Sequence, residues 1–176
     1  ILNDKFKITN LNNRKNVIMS LITSGIAAGI AGSSRPCSGS EHLFAHATDL
    51  LEPKNGLHGE KCGIGTIMMA KLHNLDWGKI SDKLDKINAP NTAKKIGLSE
   101  DTIIKALVMG HTLRPERYTI LHKVKLDNKA ARKLAKQSGI IEEDPNMTED
   151  PTEEIYGMQN FKAQIFTEMI TYADEN

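Results

Sequence analysis

Cysteine, aromatic residues, net charge and long apolar runs are all scarce in this chain of 176 residues. Two cysteines, Cys37 and Cys62, are too few for a disulfide framework and fit a reducing, cytoplasmic compartment. Aromatics make up 5 % of the residues, too few for base-stacking surfaces. A formal net charge of +1 builds no field that would draw in nucleic acid or an anionic membrane, so neither is expected as a partner. The longest apolar run, VIMSLITSGIAAGIAG at 17–32, falls short of the about 20 residues that a membrane span needs. It reads instead as a buried, close-packed helix over 17–31, with Gly25 and Gly29 four apart to let another helix approach. The opening ILNDKFKITNLNNRKN is polar, lacks the apolar core of a signal peptide and begins with isoleucine. The chain is therefore expected to be a piece of a longer protein.

What is present is the composition of a globular helical domain, 39 % hydrophobic and 26 % charged, with no strand pattern and no internal repeat. After a loop at 33–40, Ser40 is placed to cap a helix that runs from Glu41 to about Leu51 and stops at Pro53. EPKNG is a turn. A long helix fits Leu57 to Asn74, with Ile64, Ile67, Met68 and Leu72 on one face; Met68 and Met69 read as core. Gly59, Gly63 and Gly65 each cost a helix about 1 kcal/mol against alanine, which points to close approach by a backbone or a ligand. Trp77, Ile80, Leu84 and Ile87 share the face of a helix that ends before Pro90. Ser99 caps the next one, and a surface helix at 127–139 finishes on Gly139. Cys37 and Cys62 read as small buried residues, and Lys83, Lys86, Lys94 and Lys95 as solvated. From 142 the character changes: EEDPNMTEDPTEE carries seven acidic residues in thirteen. It reads as a linker to an amphipathic helix with Ile155, Met158, Phe161, Ile165, Met169 and Tyr172 in register. The expected organisation is thus a helical domain over 1–141 and an extension of unassigned role over 142–176.

Three of the six histidines sit in GSEHLFAHATDLLEPKNGLHGEKCGIG, at 42, 46 and 58. His42 and His46, four apart, share one helix face. The turn that follows folds the chain back and can bring His58 beside them. Neutral imidazoles suit Zn²⁺ or Fe²⁺, and an open catalytic site needs three protein ligands, so spacing alone admits all three histidines as ligands. The same spacing also arises from two histidines that merely find partners on a surface or in a core. His73, His111 and His122 read as structural or solvent-exposed.

The motifs SSRPCSGSEHLFAHATDLL and GLHGEKCGIGTIMMAKLH, followed by APNTAKKIG, RPERYTIL and LAKQSGII, closely resemble the archaeal sn-glycerol-1-phosphate dehydrogenases. These belong to the wider group of iron/zinc polyol dehydrogenases and 3-dehydroquinate synthase. The resemblance covers roughly residues 16–141. It implies an all-α chain, the helical C-terminal domain of a dehydroquinate-synthase-like or iron-containing alcohol dehydrogenase fold. It further implies NADH- or NADPH-dependent reduction of dihydroxyacetone phosphate to sn-glycerol 1-phosphate for archaeal membrane lipids. In the family one aspartate and two histidines hold zinc. Carried over, His42 and His58 are the metal ligands, and His46 becomes the residue that faces substrate and relays a proton. This replaces the three-ligand reading. Arg35, in the loop before the metal helix, is implied as a phosphate contact, against the alternative of a structural arginine. Ser38, Ser40, Arg114 and Arg117 are further candidates.

The chain departs from the family in two ways. It holds no strand, Gly-rich loop and helix unit for NAD or NADP, and no aspartate in the context of the third zinc ligand. Both are expected in a part of the protein outside this chain, so residues 1–176 alone are expected to be inactive and to bind zinc weakly. The complete enzyme is expected to be a cytoplasmic homo-oligomer. Two other readings stand beside this one. The parent could be another member of the group, a glycerol or polyol dehydrogenase or the synthase, or the chain could be a non-catalytic helical interaction module.

Overall fold

In a computed structural model that describes residues 10–142, every regular element is a helix or a 3-10 turn. The helices are α1 (Leu11–Ile30), α2 (Ser40–Leu51), α3 (His58–Leu72), α4 (Trp77–Lys86), α5 (Glu100–Met109), α6 (Ile120–Val124) and α7 (Asn128–Gln137). No strand occurs among the described residues. The all-α expectation holds, and no described helix is long and apolar enough to cross a membrane. The expected acidic linker and amphipathic helix, beyond Glu142, lie outside the described residues.

Side-chain caps set several helix starts. Asn10 accepts from the backbone of Asn12 at the start of α1. Asp76 accepts from Lys79 N–H before α4, and Ser99 from Thr102 N–H before α5. Asp127 does the same for Ala130 N–H before α7. Each satisfies one of the donors that a helix start leaves free. Gly139 takes the left-handed φ of 71° just past α7, where glycine carries no steric penalty. Ser40 is a correction. It lies inside the first turn of α2 and not at its cap, because its buried hydroxyl accepts Leu121 N–H at 3.3 Å from a distant part of the chain.

The core lies where α2, α3, α5 and α7 meet. Phe44 of α2, Ile64, Ile67 and Met68 of α3, and Ile103 and Leu107 of α5 are fully buried. Burying such a side chain contributes roughly 1.5–3 kcal/mol each, and this cluster dominates what holds the hairpin of α2 and α3 against α5. Gly65 bears out the expectation of close approach: a Cβ there would lie 3.0 Å from both the Glu41 carbonyl oxygen and Phe44 Cδ1. At Gly63 and Gly59 no backbone comes close: a Cβ would meet only ordinary contact with the Leu84 side chain at the first and nothing within 4 Å at the second. They stand in α3 without a packing reason.

Two further expectations fail. The apolar run at 17–31 does form a helix, but no residue of α1 is buried, and Ile18, Met19, Leu21, Ile22 and Ile26 are exposed. A Cβ at Gly25 or Gly29 meets nothing within 4 Å. Apolar composition marks a helix that wants a partner, and none of the described residues covers this one. Cys37 is exposed as well, its thiol donating to the Ser24 carbonyl, while Cys62 is half-buried.

Glu52 ties the end of α2 to the start of α5. Its carboxylate accepts from the hydroxyls of Ser99 and Thr102 and from the Asn55 amide. The hydrogen bonds from Thr102 and Ser99 hold its carboxyl down from 4.5 to about 2. A carboxyl depressed on folding stabilises the native state above its unfolded pKa and loses that contribution as pH falls through the folded one. Urea unfolding of Glu52→Gln and wild type should therefore differ at pH 6 and converge as pH drops from about 4.5 toward 2. A constant difference across that window would show that the carboxylate charge is not what joins the two helices.

Candidate metal and substrate site

α2 carries His42 and His46 one turn apart, and Pro53 ends the helix just beyond them. The chain turns back through Gly56, and His58 becomes the first residue of α3. Glu60 accepts Leu57 N–H at 2.8 Å and so closes the first turn of that helix. Because α2 and α3 are drawn together at Gly65, the three imidazoles converge. Ring centroids lie 6.4 Å apart for His42 and His46, 5.6 Å for His42 and His58, and 5.1 Å for His46 and His58.

Carboxylates surround this cluster. His42 Nδ1 lies 2.8 Å from Glu41 Oε1, which also accepts Gly39 N–H. His58 Nδ1 lies 2.8 Å from Asp49 Oδ2, and the other Asp49 oxygen accepts from Lys61 Nζ at 2.7 Å. Burial pushes both carboxyls up, but hydrogen bonds outweigh it. Gly39 and His42 hold Glu41 below its ordinary value, and Lys61 and His58 do so for Asp49. His46 differs. Burial lowers its pKa first, with the charges of His58, Arg114 and His42 adding and Asp49 opposing. Its proton is thus held less tightly than that of a free imidazole, which favours the neutral ring, a form that can pass a proton either way.

Two triads bring ligand atoms within 4.8 Å of one another: His42, His58 and Cys62, and His46, Asp49 and His58. The donor chemistry fits a zinc-type ion at His42 and His58, half-exposed imidazoles with one ring nitrogen each already engaged. Cys62 is a poorer third donor, since burial, with the charges of Glu41 and Asp49, pushes its thiol up to about 11. Asp49 has both oxygens committed to His58 and Lys61.

Arg35, Ser38, Ser40 and His42 line one open cleft of about 670 Å³, together with Cys62 and Arg117. His46 and His58 are not among the groups that line it. The Arg35 guanidinium donates to the Tyr118 carbonyl at 3.0 Å, so it bridges the loop before α2 to the segment before α6. The residues missed from sequence are Glu41, Asp49 and Lys61. A signal existed for Asp49, which continues the His42/His46 face three residues on. Lys61 follows His58 by the same step, yet nothing in the sequence marks a lysine as fully buried.

No family model matches the chain. Curated relatives do. A stretch of 125 residues, 71 % of this chain, is 57 % identical to a glycerol-1-phosphate dehydrogenase (NAD(P)+) of Nitrosopumilus maritimus and covers 35 % of that protein. A protein of the same name from Metallosphaera sedula is 57 % identical over 122 residues, 69 % of this chain and 35 % of its own length. One from Thermococcus sibiricus is 51 % identical over 138 residues, 78 % of this chain and 39 % of its own. The chain thus spans little more than a third of the length of the curated relatives it matches.

Proposed function

We propose that this chain, a close sequence relative of the glycerol-1-phosphate dehydrogenases over 125 residues, forms the metal- and substrate-binding part of such an enzyme. The reaction is NAD(P)H-dependent reduction of dihydroxyacetone phosphate to sn-glycerol 1-phosphate. The observation that carries the reading is the convergence of His42, His46 and His58 across the α2/α3 hairpin, inside the stretch shared with those relatives.

In this reading His42 and His58 hold a zinc ion, with a third ligand supplied from outside this chain. When bound, the metal supplies Lewis-acid polarisation of the ketone oxygen. His46, whose surroundings favour the neutral ring, stands beside the two ligand rings and relays a proton to the oxygen as it becomes an alcohol. Arg35 offers the planar, permanently charged group that suits a phosphate, and Arg117 in the same cleft adds a second positive charge. The hydride comes from NADH or NADPH, for which the described residues provide no strand-based binding unit.

The test is turnover by the intact protein that contains this chain, offered dihydroxyacetone phosphate, glycerol or the substrate of 3-dehydroquinate synthase. Turnover of the first with NADH or NADPH is expected, and residues 1–176 alone should show none. Preference for glycerol would move the protein to the polyol dehydrogenases. Silence toward all three, with metal content unchanged in His42→Ala, would leave a non-catalytic helical module. Within the expected result, Arg35→Ala should raise KM for dihydroxyacetone phosphate by about 10–200-fold, the range for losing one charge-assisted phosphate contact of about 1.5–3 kcal/mol. A change in kcat with KM untouched would remove Arg35 from the phosphate site.

A further inference from the structure

We infer that Glu41 and Asp49 are positioning residues that aim the two metal-ligand histidines. Each holds the Nδ1 proton of one imidazole, and Lys61 anchors the second of the pairs. The inference rests on the zinc reading above and extends it to groups one step removed from the metal.

An ionised carboxylate only accepts hydrogen bonds. The 2.8 Å contacts of His42 Nδ1 with Glu41 and of His58 Nδ1 with Asp49 therefore require the proton on Nδ1 in both rings. In a neutral imidazole that leaves the lone pair on Nε2, the form a divalent cation takes. The two histidines thus present the same nitrogen by the same device. His46, between them on the hairpin, has no carboxylate hydrogen-bonded to its ring among the described residues. That difference sets the His46 ring apart from the two rings read as ligands.

Each carboxylate is itself fixed. Glu41 Oε1 also accepts Gly39 N–H at 2.8 Å, which ties it to the first turn of α2. Asp49 is held by Lys61, whose Nζ donates to Oδ1 at 2.7 Å and to the Glu52 carbonyl at 3.3 Å. Lys61 is fully buried, an expensive place for an ammonium group unless it is paired. Its reach from α3 to the end of α2 gives that expense a purpose: it pins the Asp49 carboxylate so that its second oxygen meets His58.

The experiment uses the intact protein that contains this chain. Zn²⁺ affinity is measured by competition with a chromophoric chelator, and the ring protonation of His42 and His58 by ¹⁵N NMR in the metal-free protein. Glu41→Ala and Asp49→Ala are each expected to lower Zn²⁺ affinity about 10–100-fold, as loss of such partners does. Each should also shift its own histidine away from the Nδ1–H form. Glu41→Gln and Asp49→Asn keep a neutral acceptor and should recover part of the loss. Should Asp49→Ala unfold because Lys61 is left charged and alone, Asp49→Ala with Lys61→Met removes that charge and must show the same loss of affinity. Affinity and ring protonation unchanged in the carboxylate variants would overturn the inference while the zinc reading stood. Affinity unchanged in His42→Ala and His58→Ala would overturn the zinc reading and the inference with it.

Discussion

Replacing His58 with alanine is expected to cost more than about 100-fold in Zn²⁺ affinity, beyond what loss of an orienting partner removes. On the proposed roles it takes away one of only two protein ligands that this chain supplies, and His42 alone cannot hold a divalent ion. The fold should survive. The His58 side chain is 44 % exposed, and it opens α3 without capping it, since Glu60 closes that turn. Stability should stay within about 0.5 kcal/mol of wild type, as for most exposed positions. His46→Ala is the informative contrast. It should leave metal affinity near wild type and lower kcat of the intact enzyme by about 10²–10⁴-fold, the usual range for a lost acid–base group. Equal loss of metal in both variants would mean that all three histidines bind it, the reading that spacing alone allows.

Phe44→Ala is expected to destabilise the chain by about 3–5 kcal/mol, the range for truncating a fully buried phenylalanine. That is a large share of the about 5–15 kcal/mol that holds a typical domain. Phe44 lies on α2 between His42 and His46, turned to the opposite side, with Cδ1 pressed toward Gly65 of α3. Its ring fills the place where the two helices come nearest, so an empty volume there weakens the contact that brings His58 to its partners. The urea midpoint should fall with little change in slope, since the surface exposed on unfolding is nearly the same. Phe44→Leu leaves a smaller void and should lose less. A loss under about 1 kcal/mol for the alanine variant would show that the α2/α3 contact does not depend on this ring.

Local features were legible in the sequence, and features made by distant segments were not. The i, i+4 histidines, the turn at Pro53 and the return to His58 lie within 17 residues, and their convergence follows from helix geometry. Ser99 was readable as a cap for the same reason. Ser40 looked equally suitable, yet its hydroxyl is taken by Leu121 N–H from far along the chain. Asp49 and Lys61 resemble solvated charges in any window, and only the hairpin makes them a pair twelve residues apart. The run at 17–31 misled in the other direction: its composition asks for burial, but burial depends on what lies against it, which no window contains. The resemblance to a family supplied what neither spacing nor geometry decides, that His46 differs in role from its neighbours.

The exposed state of α1 bears on how this molecule melts. It is the longest of the described helices, at 20 residues, and none of its side chains is buried. A helix with no side chain buried among the described residues draws little on tertiary packing, relies mainly on its own backbone bonds and melts more gradually with temperature. Trp77 is packed against the core with the Lys71 ammonium 4.9 Å from its ring, so its fluorescence follows the cooperative loss of that core. Far-ultraviolet ellipticity, to which α1 contributes the longest stretch, sums the gradual process with the cooperative one. The two signals therefore trace different curves for one chain, and a single melting temperature describes the core around the histidines and not the helix that leads into it.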